Sequence, residues 1–326
     1  MLTTVLKPAR AVRRYLRLPP RARAEQRRDR AGLPREDPGL ERAVRESVAW
    51  ICRAQDNSAS HDGGVARDFS LVSGWNSSYP ETTGYVVPTI LECARRWRDE
   101  GLRERAKRML DWLVSIQFPE GGFQGGVIGA EPVVPVTFNT GQILLGLASG
   151  VREFGDEYRG PMRKAADWLA QSQDADGCWR KHPTPFAEAG EKAYETHVAW
   201  GLFEAARAEP KMGYEEAALA NVRWALTMQR DNGWFESCCL SDPDAPLTHT
   251  LGYVLRGVVE AHRFTKDEGL LRACRKTADG LLPALREDGF LPGRLDRDWR
   301  AAADWACLTG SVQIAYCWLD LYRHTG

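Results

Sequence analysis

The chain has 326 residues, and its 44 basic side chains balance 44 acidic ones, so no overall field draws it toward nucleic acid. No stretch approaches the ~18 consecutive apolar residues of a membrane-spanning helix. Eight scattered cysteines, with no CxxC pair and no secretory leader pattern, predict reduced thiols in a cytoplasmic protein.

Residues 1–36 read as a basic arm. Leu2, Val5, Leu6, Ala9, Val12, Leu16 and Leu18 alternate with Lys7, Arg10, Arg13, Arg14 and Arg17 ahead of Pro19 and Pro20. Such a segment predicts a short cationic amphipathic helix that can lie on the inner face of an anionic membrane, against the plainer reading of a solvated tail. Asp37, Pro38 and Gly39 then open a domain predicted to run over 37–326.

Two markers recur through that domain. Threonines at 83, 140, 196, 250 and 309 each open an apolar helix, with gaps of 57, 56, 54 and 59 residues. In phase with them, Trp50, Trp112, Trp168 and Trp224 are followed five residues later by Gln55, Gln117, Gln173 and Gln229. A fixed period means one supersecondary unit copied and stacked, each copy burying a face it cannot bury alone. Each unit reads as a polar-faced outer helix, a glycine and aromatic turn, a long loop, and an inner helix with charges only near its end. The inner helices are predicted over 79–97, 138–154, 194–208, 249–264 and 308–323. Inner-to-outer connections are short and outer-to-inner ones long, so all long loops fall on one rim. The fold class is all-α, an α/α toroid of about five to six helical hairpins, with function expected on the long-loop rim.

The repeated threonine reads as scaffold, its hydroxyl accepting a free N–H near the helix start. The column one position earlier has diverged to Thr82, Asn139, Glu195, His249 and Leu308, as a site for an asymmetric ligand requires. Glu81, Tyr194 and Cys307 precede it, and Tyr85, Gln142, Trp200, Tyr253, Arg256 and Gln313 lie one or more turns further in. Glu81 and Glu195 are the candidate acid and base, with His249 and Tyr253 alternative bases; the bland reading makes the two acids complements of helix dipoles. His249, Tyr253 and Arg256 share a helix face, and an inward arginine calls for an anion, either a substrate carboxylate or a neighbouring acid. Among the rim aromatics Trp75 and Trp305, with Asp304 beside the latter, are candidates for stacking on a sugar; Trp179, Trp234 and Phe290 recur in register and read as staples. Cys238, Cys239 and His249 would offer soft ligands to zinc, although their spacing is irregular and free cysteines serve more often as small core residues. No other cofactor is expected.

The turns Gln173-Asp-Ala-Asp-Gly-Cys-Trp179 and Gln229-Arg-Asp-Asn-Gly-Trp-Phe235 resemble the glutamine-tryptophan repeats of the squalene cyclase and protein prenyltransferase superfamily. Tyr79-Pro-Glu-Thr-Thr-Gly-Tyr85, Phe138-Asn-Thr-Gly-Gln142 and Asp304-Trp-Ala-Cys-Leu-Thr-Gly310 look like a bacterial group associated with surface-polysaccharide gene clusters, related in fold to six-hairpin glycosidases and glucuronyl epimerases. These resemblances imply an α/α toroid with a central cavity. The cyclases' Asp-x-Asp-Asp acid is missing, Asp296-Arg-Asp298 being a poor substitute. His249-Thr-Leu-Gly-Tyr253 resembles the prenyltransferase histidine motif, but Asp304 and Cys307 follow it in reversed order. The leading expectation is a hydrolase, lyase or epimerase acting on an acidic sugar of a surface polysaccharide or lipid-linked glycan. The alternatives are an isoprenoid enzyme and a non-catalytic glycan-binding module.

Overall fold

A computed structural model of the chain describes residues 15–32, 36–188 and 190–326. The cationic segment expected over 2–18 lies outside the described residues apart from its last four. The chain divides into two compact units, Met1–Tyr79 and Pro80–Gly326. In the first unit, helices α1 (Pro20–Arg30) and α2 (Leu40–Asp56) precede an antiparallel ribbon of β1 (Phe69–Ser70) and β2 (Gly74–Trp75). There Trp75 packs against Trp50 at 4.8 Å and Phe69 at 5.0 Å between ring centroids.

The second unit alternates inner and outer helices. The inner ones are α3 (Pro80–Trp97), α5 (Thr137–Phe154), α7 (Thr196–Ala208), α9 (Thr248–Thr265) and α11 (Leu308–Thr325). The outer ones are α4 (Glu100–Ser115), α6 (Arg159–Ser172), α8 (Tyr214–Leu226) and α10 (Glu268–Leu281). Each inner helix packs on the next in chain order and on the outer helix that follows it. The sequence dictates the two roles. In α4 the apolar positions Leu102, Ala106, Met109, Leu110 and Leu113 form one buried stripe, whereas α5 is buried all round from Thr137 to Val151. Asp99 and Asp267 cap α4 and α10 by accepting the N–H groups of Leu102 and Gly269.

The recurrent glutamines pin each turn to the next outer helix. Gln117 Nε2 donates to the carbonyls of Gly121 and Pro161 at 2.9 and 3.0 Å, and Gln173 Nε2 to those of Gly177 and Ala217 at 3.0 and 2.9 Å. Trp179 and Trp234 are buried at 2% and 1% exposure, as expected of staples.

The threonines do a different job from the expected cap. Thr140 Oγ1 accepts from the loop N–H of Phe123 at 3.0 Å and donates to Val136 O at 2.8 Å. Thr196 Oγ1 donates to Val254 O of α9 at 3.1 Å, and Thr250 Oγ1 to Cys238 O at 2.8 Å. These hydroxyls tie inner helices to loops and to one another, because a fully buried carbonyl needs a donor more than a first-turn N–H needs an acceptor. Thr309, in the last inner helix, is exposed. The glycine after the threonine permits close crossing: a Cβ on Gly84 would sit 2.5 Å from Ile143 Cα, and one on Gly141 2.7 Å from Val198 Cγ1.

Candidate active site

The rim at the inner-helix N-termini gathers a buried polar cluster. Glu81 lies in the first turn of α3, and Glu195 closes a short 3₁₀ turn, Ala193–Glu195, that leads into α7. A helix N-terminus favours a carboxylate by ~0.3–1 kcal/mol. Burial outweighs it: desolvation raises Glu81 to about 7 and Glu195 to about 8. Both acids stand in a first helical turn, and their surroundings disfavour the charged form. Asn139 Nδ2 donates to Glu81 Oε2 over a long 3.4 Å, while Glu195 Oε2 is buried without a hydrogen-bond partner. Tyr194 is raised by burial and by the charges of both carboxyls, which places its ring within electrostatic reach of each.

Tyr253 of α9 is the hub of an aromatic group. Its ring lies 4.6 Å from His197, 5.0 Å from Phe138, 5.4 Å from His249 and 6.5 Å from Tyr194. Burial, together with Glu81, Tyr85 and Tyr194, raises its phenol well above the usual value, so the hydroxyl keeps its proton. Gln313 hydrogen-bonds Tyr253 while its own Oε1 is buried and unpartnered. His249 is held neutral by desolvation and by Arg294, and its Nδ1 lies 3.9 Å from Cys307 Sγ.

His197 escaped the sequence reading. Only 6% exposed, it is pushed far below the usual histidine range by burial and by Arg256, and its Nδ1 pairs with Gln142 Oε1 at 2.7 Å. Gln142 Nε2 has no partner. The signal was present: the position after the threonine is glycine at 84, 141 and 310, and a histidine there in the third unit breaks the pattern.

Two candidates belong elsewhere. Arg256 was expected to meet an anion, and that anion is Glu260 of its own helix, whose Oε1 lies 2.8 Å from the guanidinium. The guanidinium also stacks on Trp200 at 4.2 Å and Tyr316 at 3.8 Å. Trp200 Nε1 in turn donates to Glu204 Oε1 at 3.3 Å. Arg256, Trp200, Glu204 and Glu260 line a cavity of about 430 Å³ with Arg152, Arg207, Arg263 and Lys266, and Trp200 and Arg256 border His197 from that side. Asp304 and Trp305 are exposed, and Trp305 covers Gly293. Trp75 is engaged within the first unit.

Among the described residues no group of three His, Cys, Asp or Glu side chains is placed to hold a metal ion. Cys238 Sγ donates to Thr250 O at 3.3 Å, and burial raises its thiol, so it stands as a protonated core residue. The sulfur beside His249 belongs to Cys307 rather than to Cys238 or Cys239.

Residues 81–255 match the family model described as the squalene-hopene cyclase C-terminal domain, and the chain belongs to that family. Its architecture is the α/α toroid. Among solved structures it is similar to an unsaturated glucuronyl hydrolase specific for heparin, at 17% identity over 87% of this chain and 78% of that one, with a TM-score of 0.67. It is similar to the cellobiose 2-epimerase of Spirochaeta thermophila at 13% identity, over 91% and 84% of the two chains, with a TM-score of 0.69. A family 76 glycoside hydrolase (mannosidase) of Bacteroides thetaiotaomicron aligns at 12% identity over 76% and 73%, with a TM-score of 0.60. At these identities the likeness is one of fold, and fold alone leaves activity to the site. No curated protein matches the chain.

Proposed function

We propose that this chain is a carbohydrate-active enzyme working by acid/base chemistry at the long-loop rim, on an acidic sugar of a surface polysaccharide or lipid-linked glycan. The observation that carries the reading is the pair of rim carboxyls, Glu195 buried and Glu81 half-buried, which desolvation raises to about 8 and about 7 and which both act on Tyr194. Two acids that titrate near neutral pH can share one proton cycle, with Glu81, the less raised of the two, as the carboxylate base and Glu195 as the protonated acid. The unpartnered Gln142 Nε2, Gln313 Oε1 and Glu195 Oε2 offer a donor and acceptors suited to hydroxyl groups. The structures similar in fold, a glucuronyl hydrolase, an epimerase and a mannosidase by their descriptions, support a sugar substrate.

Three reactions suit this pair: glycoside hydrolysis, elimination, and epimerisation through removal of a proton α to a carboxylate, for which His249, held neutral, is a second base. An NMR time course with uronic-acid glycans in D2O separates them. New reducing ends without alkene signals mean hydrolysis, alkene signals mean elimination, and deuterium at C5 without cleavage means epimerisation. Silence across the panel would sink the acidic-sugar reading. The cyclase-family match and the aromatic group around Tyr253 favour a second reading, an isoprenoid enzyme. Turnover of isoprenoid diphosphates by the same preparation would select it.

A further inference from the structure

Lys192 stands at the entrance to the Ala193–Glu195 turn, on the long loop between α6 and α7. Only 8% of it is exposed. Its backbone carbonyl accepts the N–H of Glu195 at 3.0 Å, and the adjoining Ala193 N–H donates to Ser237 O of the next long loop at 2.9 Å. The lysine is thus held between two rim loops. Among the described residues its ammonium makes no hydrogen bond and no ion pair, although the basic side chains Arg152, Arg256 and Arg263 all have carboxylate partners. The stem of the lysine is buried while its ammonium, which no described carboxylate meets, reaches the water of the rim beside Glu195, where an anionic ligand has access to it. The same neighbourhood holds the unpartnered Oε2 of Glu195, too far from the lysine to pair with it.

We propose that Lys192 is the anchor for a substrate oxyanion, the carboxylate of a uronic acid, holding the sugar so that the Glu195 carboxyl meets the reacting centre. This deepens the carbohydrate reading and rests on it. Arg256, the cation the sequence pointed to, is already neutralised by Glu260, whereas Lys192 is a rim cation that pairs with no carboxylate among the described residues. The ammonium also favours the charged form of Glu195, so occupation by an anion would push that carboxyl further toward its protonated form. A negatively charged substrate would in this way help to arm the acid.

The test is binding, measured by NMR titration at pH 6, where Glu195 is protonated. The probes are methyl β-glucuronide, methyl β-glucoside and sodium sulfate, against wild type and Lys192→Met, with thermal melts to establish that the variant is folded. Glu195→Gln serves as a second variant that keeps the lysine. Wild type is expected to bind the glucuronide at least tenfold more tightly than the glucoside, and K192M to lose that preference while E195Q keeps it. A preference that survives in K192M overturns the anchor and leaves the acidic-sugar reading intact. Equal binding of both glycosides overturns the anchor and leaves a neutral-sugar reading. Lysine-dependent binding of sulfate with no glycoside bound supports the anion site but removes the sugar reading, and no binding of any probe overturns both.

Discussion

At the scale of single residues, the site turns on which effect sets each proton. Burial moves Glu81 and Glu195 upward to about 7 and about 8, and it moves His197 and His249 down. Between those two values the catalytic form has Glu81 ionised and Glu195 protonated. The dependence of kcat/KM on pH is expected to be a narrow bell with limbs near 7 and 8. E195Q should remove the alkaline limb and E81Q the acidic one, each lowering the rate by ~10²–10⁴ as is usual for loss of a general acid or base. A bell that keeps both limbs in E195Q would transfer the acid role to another group. His197 holds Gln142 in place, engaging its carbonyl oxygen at 2.7 Å. H197F should raise KM for a sugar substrate more than it lowers kcat, by freeing the Gln142 amide to turn, and H197N should recover part of that loss. A kcat defect at unchanged KM would instead put His197 in contact with the reacting atoms.

At the scale of elements, the repeat is held by side-chain donors to backbone carbonyls as much as by apolar burial. Gln173→Ala removes donors from Gly177 O and Ala217 O at once. With about 1 kcal/mol for each bond and more where an acceptor stays buried, a loss of roughly 2–3 kcal/mol is expected in urea unfolding. Thr140→Val keeps the shape but orphans the Phe123 N–H, while Val136 O keeps the Thr140 N–H, for a cost of about 1–3 kcal/mol. If T140V unfolds at the wild-type midpoint, the threonine is not the tie between loop and helix. These elements were legible because they are local and periodic: the threonine and glutamine spacings fix where each helix and turn falls, and the observed inner helices begin within two residues of the expected starts. The two carboxyls at the rim can be picked out too, Glu195 in the diverged column and Glu81 one position before it. Other features were set by tertiary burial. Lys192 sits in an irregular loop, where nothing periodic marks it as buried. Of the two anions open to Arg256, the neighbouring acid is the one present: Glu260, four residues on along the same helix, is plain in the sequence. The threonine's real partners, such as Val254 O from another repeat, come from the stacking itself.

At the scale of the whole molecule, the same buried groups make stability depend on pH in opposite senses. Glu81 and Glu195 bind their protons more tightly folded than unfolded, so folding is favoured below the usual carboxylate value near 4.5 and loses that advantage as pH rises toward 7 and 8. His197 and His249 are shifted down, so their contribution is complete above 6.5 and is lost as pH falls through the folded-state values. Between 4.5 and 6.5 the two trends oppose each other. Above 6.5 only the carboxyl trend continues, because the histidines are neutral in both states. Each unit of displacement is worth about 1.4 kcal/mol, so two carboxyls with such shifts amount to several kcal/mol across the window. The melting temperature is therefore expected to fall from pH 6.5 to 8.5 and, separately, to fall on the acid side below pH 5. E195Q should remove more than half of the alkaline fall and leave the acid side alone, since a glutamine has no proton to lose and Glu195 carries the larger shift of the two. The observation that would defeat this account is an alkaline fall of unchanged size in the double variant E81Q/E195Q. The loss would then come from groups outside the rim, and the two carboxyls would be ionised in the folded protein at neutral pH, with the acid and base roles reassigned accordingly.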